Sequence, residues 1–267
     1  MSLALIISVG VSLAAFAFIA SMLGIGGGVF YTPIQLLFGL DIHEAAANSL
    51  FLIFILSVSA TSVYHRSGKV DWRMAFVLEL FTVTGGFVGG YFSGLVPQAI
   101  LTGLLVAVIL FAGALMFRGQ SHPRHLDHAH RAFYLWRRQA FGECYELNLF
   151  LALPLSFMAG LLSCMVGIGG GALKVPMMVL LFGIPMDIVI ATSGFMVGIT
   201  ALGGLAGHLA AGHWDWRMGL VLAPGVFIGA QFGARTMLRM GKRKLRRIFA
   251  VVLLFMAVMV VVKSLWG

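Results

Sequence analysis

One stretch of this chain occurs twice. Ser21-Met-Leu-Gly-Ile-Gly-Gly-Gly-Val-Phe-Tyr-Thr-Pro-Ile-Gln-Leu-Leu-Phe-Gly39 returns as Ser163-Cys-Met-Val-Gly-Ile-Gly-Gly-Gly-Ala-Leu-Lys-Val-Pro-Met-Met-Val-Leu-Leu-Phe-Gly183. With a shift of 143, the run Gly24–Gly28 meets Gly167–Gly171 and Pro33 meets Pro176. One inserted residue later the shift is 144, and Phe38-Gly39 meets Phe182-Gly183. Asn48-Ser49 then meets Thr192-Ser193, Asp71-Trp72-Arg73-Met74 meets Asp215-Trp216-Arg217-Met218, and Gly85 and Gly89 meet Gly229 and Gly233. Such a chain folds as two copies of one unit, and the repeated glycines lie inside apolar surroundings.

Those surroundings are membrane-like. Of 267 residues, 60% are hydrophobic and only 10% charged, with a mean hydropathy of +1.01. Soluble domains carry roughly a quarter charged residues. The apolar runs predict segments near 3–23, 29–39, 44–64, 73–92 and 98–117, then near 148–166, 172–182, 187–208, 217–236 and 247–266. The segments after the glycines have about ten residues, too few for a helix to cross roughly 30 Å of hydrocarbon. They are read as half-helices or re-entrant pieces, tolerated only where protein or a water-filled cavity surrounds them. The expectation is an all-α membrane protein with eight full spans and two short segments. Residues 1–117 form a first repeat, 118–147 a polar linker and 148–267 a second repeat. The first twenty residues lack a basic leader and are read as a retained span. The two cysteines, Cys144 in the linker and Cys164 in a span, do not suggest a disulfide.

The net charge of +9 sits in loops, where it orients the chain and does not point to nucleic acid. Loop 65–73 carries Arg66, Lys69 and Arg73, while its counterpart 209–217 carries only Arg217. The next pair reverses: 93–97 has no basic residue, whereas 235–247 has seven. Basic loops stay cytoplasmic, so equivalent loops fall on opposite sides and the repeats are inverted. A parallel four-plus-four arrangement is the competitor. Inversion makes the linker cytoplasmic and both termini periplasmic, in a bacterial inner membrane.

Candidate site residues follow from the breaks. Gly26, Gly27, Gly28 and Gly169, Gly170, Gly171 precede short helical segments. A helix start exposes unpaired N–H groups and partial positive charge, and glycine lets an anion approach them. The same glycines could instead permit only tight helix crossings. Asn48, Ser49, Thr192 and Ser193 could donate to an oxyanion or merely bridge helices. Lys174 follows the second glycine run where the first copy has Tyr31. A charge there is expected to meet the anion or a partner carboxylate, or to snorkel to the headgroups. Tyr31 and Gln35 are expected along the same cavity. Glu79, the one carboxylate inside a full span, is the candidate for carrying a proton. The Asp-Trp-Arg triplets at 71–73 and 215–217 read as interfacial anchors, with a gating salt bridge as the alternative. His122, His125, His128 and His130, with Asp127, are a weak metal candidate against a solvated loop. Residues 131–141 read as an amphipathic segment on the cytoplasmic leaflet.

A glycine break after the first span, a following proline, a later Asn/Thr-Ser pair and a second copy of all three resemble the sulfite exporter TauE/SafE family. The resemblance covers nearly the whole chain apart from the linker. It implies a bacterial inner-membrane permease for small sulfur-containing anions such as sulfite and sulfonates. The expected partners are a small anion, the bilayer and protons as coupling ion, with no cofactor and no enzymatic activity. No ATP-binding motif accompanies the glycines, so a gradient would drive transport by alternating access. An anion channel, or a divalent-metal transporter regulated by the histidine-bearing linker, stays as the alternative.

Overall fold

Glycine and proline set where the apolar chain turns. A computed structural model describes residues 3–118, 135–140, 142–212 and 216–266. The first copy contains α1 (Leu3–Leu23), α2 (Gly28–Leu37), α3 (Ile42–Arg66), α4 (Trp72–Phe92, extended by a 3₁₀ turn to Leu95) and α5 (Gln98–Arg118). A hairpin follows, β1 (Leu135–Ala140) and β2 (Glu143–Asn148). The second copy contains α6 (Leu149–Met165), α7 (Gly171–Pro176), α8 (Met186–Ala210), α9 (Trp216–Leu238) and α10 (Lys242–Trp266). Each expected apolar segment corresponds to one of these helices. Among the described residues, four helices are long and apolar enough to cross a membrane: Ile42–Arg66, Trp72–Leu95, Met186–Ala210 and Trp216–Leu238. Shorter apolar helices accompany them, and the whole is a mainly helical membrane protein.

Local chemistry explains the starts and stops. Asp41 caps α3 by accepting from the His43 N–H at 2.9 Å, and Asp71 caps α4 by accepting from Met74 at 3.1 Å. Gly39 and Gly183, both with positive φ, end the short helices. The one residue by which the second copy exceeds the first lies between Pro176 and Phe182. It is absorbed as a wide π-type stretch over Met177–Leu181, directly after the proline that removes an N–H donor.

The copies exchange partners. Helix α1 packs along α9, and its counterpart α6 packs along α4, while α3 and α8 pack on each other at the centre. Glycine makes both crossings close. A methyl group at Gly85 or Gly89 would overlap the carbonyls of Phe157 or Leu161, and at Gly229 or Gly233 those of Ala14 or Phe18. Each of these contacts is the other's copy under the sequence shift.

The hairpin is a departure from an otherwise helical expectation. Over 135–140 the anticipated amphipathic segment is a strand, paired antiparallel with Arg138 opposite Tyr145. Tyr145 and Leu147 on β2 are buried on one face, and Asn148 then caps α6 by accepting from Leu151 at 3.3 Å. Period-two alternation with a buried face suits a strand better than a surface helix. The histidines at 122, 125, 128 and 130, Asp127, residues 131–134 and 141 of the anticipated amphipathic segment, and Asp215 lie outside the described residues.

Candidate functional site

The two breaks have one geometry. Gly24, Gly26 and Gly27 take positive φ, and so do Gly167, Gly169 and Gly170. Only glycine adopts that backbone freely. The last glycine of each motif serves a different purpose, because the breaks touch. A Cβ at Gly28 would fall 2.6 Å from Ile168 Cα, and one at Gly171 would fall 2.6 Å from the Ile25 carbonyl. The structure therefore brings Gly26–28 and Gly169–171 together in the buried centre.

Helix ends beside the breaks leave carbonyls to satisfy. Tyr64 donates to the Ser21 carbonyl at 2.5 Å, and His208 Nε2 donates to the Cys164 carbonyl at 3.0 Å. Ser193 donates to the Gly24 carbonyl at 2.8 Å. Thr32 Oγ1 lies 3.0 Å from Ser49 Oγ and 3.3 Å from the Gly167 carbonyl. Gln35 Nε2 donates to Ser49 Oγ at 2.9 Å and to the Tyr31 carbonyl at 3.1 Å. The Tyr31 ring folds back over Gly27; its hydroxyl and Gln35 Oε1 are buried without a hydrogen-bond partner among the described residues.

Lys174 occupies the equivalent place over Gly170, and there the surroundings are ionic. Its Nζ donates to Glu79 Oε2 at 2.7 Å and to Thr200 Oγ1 at 2.5 Å. Thr200 in turn donates to the second Glu79 oxygen. The Lys174 and Glu79 side chains are 0% and 4% exposed. The partner carboxylate considered for Lys174 is thus Glu79, and Lys174 does not reach the surface. Cys164 of α6 lies next to this group, with Sγ 3.6 Å from the Thr200 carbonyl.

Two candidates sit elsewhere. Asn48 lies against Gly219 of α9, and Thr192 accepts from the Asp71 N–H at 3.1 Å. Thr200 was missed by sequence reasoning, although a hydroxyl between Phe195 and Gly207 is the one polar side chain of that apolar run. The donor roles of Tyr64 and His208 were missed as well, and their signal was the alignment of the copies.

A polar cluster ties the loops at one end of the helices. Arg138 grips Asp71 with Nη2 to Oδ1 at 2.6 Å and Nε to Oδ2 at 3.2 Å, and Tyr145 donates to the same carboxylate. Burial pushes the Asp71 carboxyl up, but Arg138, Tyr145 and the Met74 N–H outweigh it and hold it below the usual range. Burial and the Asp71 carboxylate push the Tyr145 hydroxyl well above its usual range. Lys69 pairs with Asp187 at 3.0 Å, and Lys242 pairs with Glu143 at 2.8 Å. Asp71 of the first Asp-Trp-Arg triplet is therefore a cap and an ion-pair partner, while Trp72 packs edge-on against Phe195. Among the described residues, no group of three His, Cys, Asp or Glu could hold a metal ion.

Comparison with known proteins identifies the family. The family model described as sulfite exporter TauE/SafE matches residues 8–260. The chain is 26% identical over 260 residues to the probable membrane transporter protein YunE of Bacillus subtilis, covering 93% of this chain and 94% of that one. It is 25% identical over 255 residues to a probable membrane transporter protein of Xylella fastidiosa strain Temecula1, covering 92% and 91%. It is 23% identical over 244 residues to the probable membrane transporter protein MJ0441 of Methanocaldococcus jannaschii, covering 85% of each. No solved structure matches the chain.

Proposed function

The chain belongs to the sulfite exporter TauE/SafE family, and from that premise we propose that it is a secondary transporter of a small anion, sulfite or a sulfonate. Its substrate site is formed where the two glycine breaks abut, with Lys174 as the cation and Tyr31, Gln35, Ser49 and Ser193 as hydrogen-bonding neighbours. The repeats are inverted across an inner membrane, with eight full spans and two short segments. The linker is cytoplasmic, and alternating access comes from one set of helices rocking against the other. A proton gradient drives the cycle, with Glu79 as the proton carrier.

The observation that supports this reading most is the contact of Gly28 and Gly171 with the opposite break, beside a fully buried lysine. Broken helices meeting at the interface of two repeats are where transporters bind substrate, and a buried charge at membrane depth is functional by default. Relatives named as membrane transporters over nearly their whole length fit the same reading.

The test is uptake of labelled sulfite into proteoliposomes, paired with a thermal-stability screen against sulfite, sulfate, methanesulfonate, taurine and divalent metals. Saturable uptake and a stability rise confined to sulfur anions are expected, since ligand that binds only the folded form stabilises it. Conduction without saturation would make the protein a channel. A response to Zn²⁺ or Ni²⁺ alone would transfer the function to the histidine-bearing linker.

A further inference from the structure

Resting on the anion-transport reading, we propose that Glu79 is the resident counter-ion of Lys174, which the transported anion replaces, and that the site therefore selects monoanions. Lys174 is the only buried lysine or arginine among the described residues. Its charge is cancelled by one carboxylate, with Thr200 bridging the two. Three separate elements, α4, α7 and α8, supply the three side chains, so the pair spans the first and second copies.

Charge bookkeeping then fixes the stoichiometry. The closed pair has zero net charge. An incoming anion that takes the Lys174 ammonium leaves the Glu79 carboxylate without its cation, and a lone buried charge is costly. Glu79 restores neutrality by taking one proton from the side of the membrane to which the site is open. The loaded site then holds the lysine cation, one monoanion and a neutral carboxylic acid. On release the proton leaves and Glu79 returns to Lys174. No covalent bond changes, and one proton travels with each anion. A dianion such as sulfate would leave one negative charge uncompensated, because among the described residues no second buried lysine or arginine is present to meet it. Thr200 keeps a hydrogen-bonding role in both states, accepting from Lys174 when closed and free to donate to either anion. The neighbouring titratable groups are Cys164 on α6 and His208 further along α8, and His208 is held by the Cys164 carbonyl with Nδ1 3.3 Å from Ser93.

The experiment is calorimetric titration of the purified full chain with methanesulfonate and isethionate, permanent monoanions, in buffers of different ionisation enthalpy at one pH. Uptake of about one proton per anion bound is expected, as the linkage between two states of one carboxyl requires. Glu79→Gln should bind the same anions with no proton uptake, and in proteoliposomes should exchange them while losing accumulation driven by a pH gradient. Binding by the unchanged chain with no proton uptake overturns the proposal and leaves the anion site standing. Sulfate binding as tightly as the monoanions overturns the selectivity. Failure of the unchanged chain to bind any monoanion removes the anion-site reading itself and this proposal with it.

Discussion

Tyr64 and His208 are equivalents under the sequence shift, and each donates to the carbonyl that closes the helix before a glycine break, on Ser21 and on Cys164. Two chemically different side chains thus perform one structural task. Tyr64→Phe removes one donor while keeping the ring, which packs against Gly194. A loss of about 1 kcal/mol is expected, read as a lower unfolding temperature in detergent.

Contact between the breaks makes a sharper demand. Gly28→Ala and Gly171→Ala each place a methyl against the backbone of the opposite copy, and each should destabilise by about 3 kcal/mol or more. Gly103→Ala, where a Cβ meets open space within α5, should be neutral or gain up to about 1 kcal/mol. Thermal unfolding of the three variants side by side checks the contrast.

Separating the structural and functional parts of the buried pair needs two variants. Lys174→Ala removes the cation from Glu79 and should cost transport, with a stability loss on the order of 3–5 kcal/mol wherever the pH keeps Glu79 ionised. The double variant Lys174→Leu with Glu79→Leu should recover most of the stability and none of the uptake. A double variant that still took up sulfite saturably would place the substrate elsewhere.

At the loop end, acid should release the hairpin. The folded carboxyl of Asp71 is held below its unfolded value, so its contribution is complete above about pH 4 and is lost as pH falls through the folded value. Hydrogen exchange in 135–140 and 142–148 should accelerate there. Arg138→Ala should produce the same exposure at neutral pH, at a cost on the order of 2 kcal/mol.

The two thiols report on both burial and sidedness. Cys144 is exposed and Cys164 buried. A membrane-impermeant maleimide should label Cys144 in lysed but not in intact cells if the linker is cytoplasmic, and should reach Cys164 only after unfolding. Labelling of Cys144 in intact cells would invert the topology.

Helix positions were legible because apolar length, glycine and proline act locally, and both breaks were legible because the motif is duplicated. The pairing of Glu79 with Lys174 was not. The residues are 95 positions apart, on α4 and α7, and the packing of both helices on α8 brings them together. Asn48 and Thr192 looked like ligands because they are polar in apolar spans, yet Asn48 meets Gly219 and Thr192 meets the Asp71 N–H, while the serine beside each bonds within the breaks. The hairpin was hidden because its two six-residue strands carry an alternation too short to outweigh an amphipathic reading.

Partner exchange between the copies also has a consequence for biogenesis. Helix α1 is made first, but α9, on which it packs, ends at Leu238. At bacterial-scale synthesis rates the ribosome needs roughly 10 to 40 s to supply the missing partner. During that interval the face of α1 that α9 covers is without its partner. Neither half can complete its own packing until the other has been made.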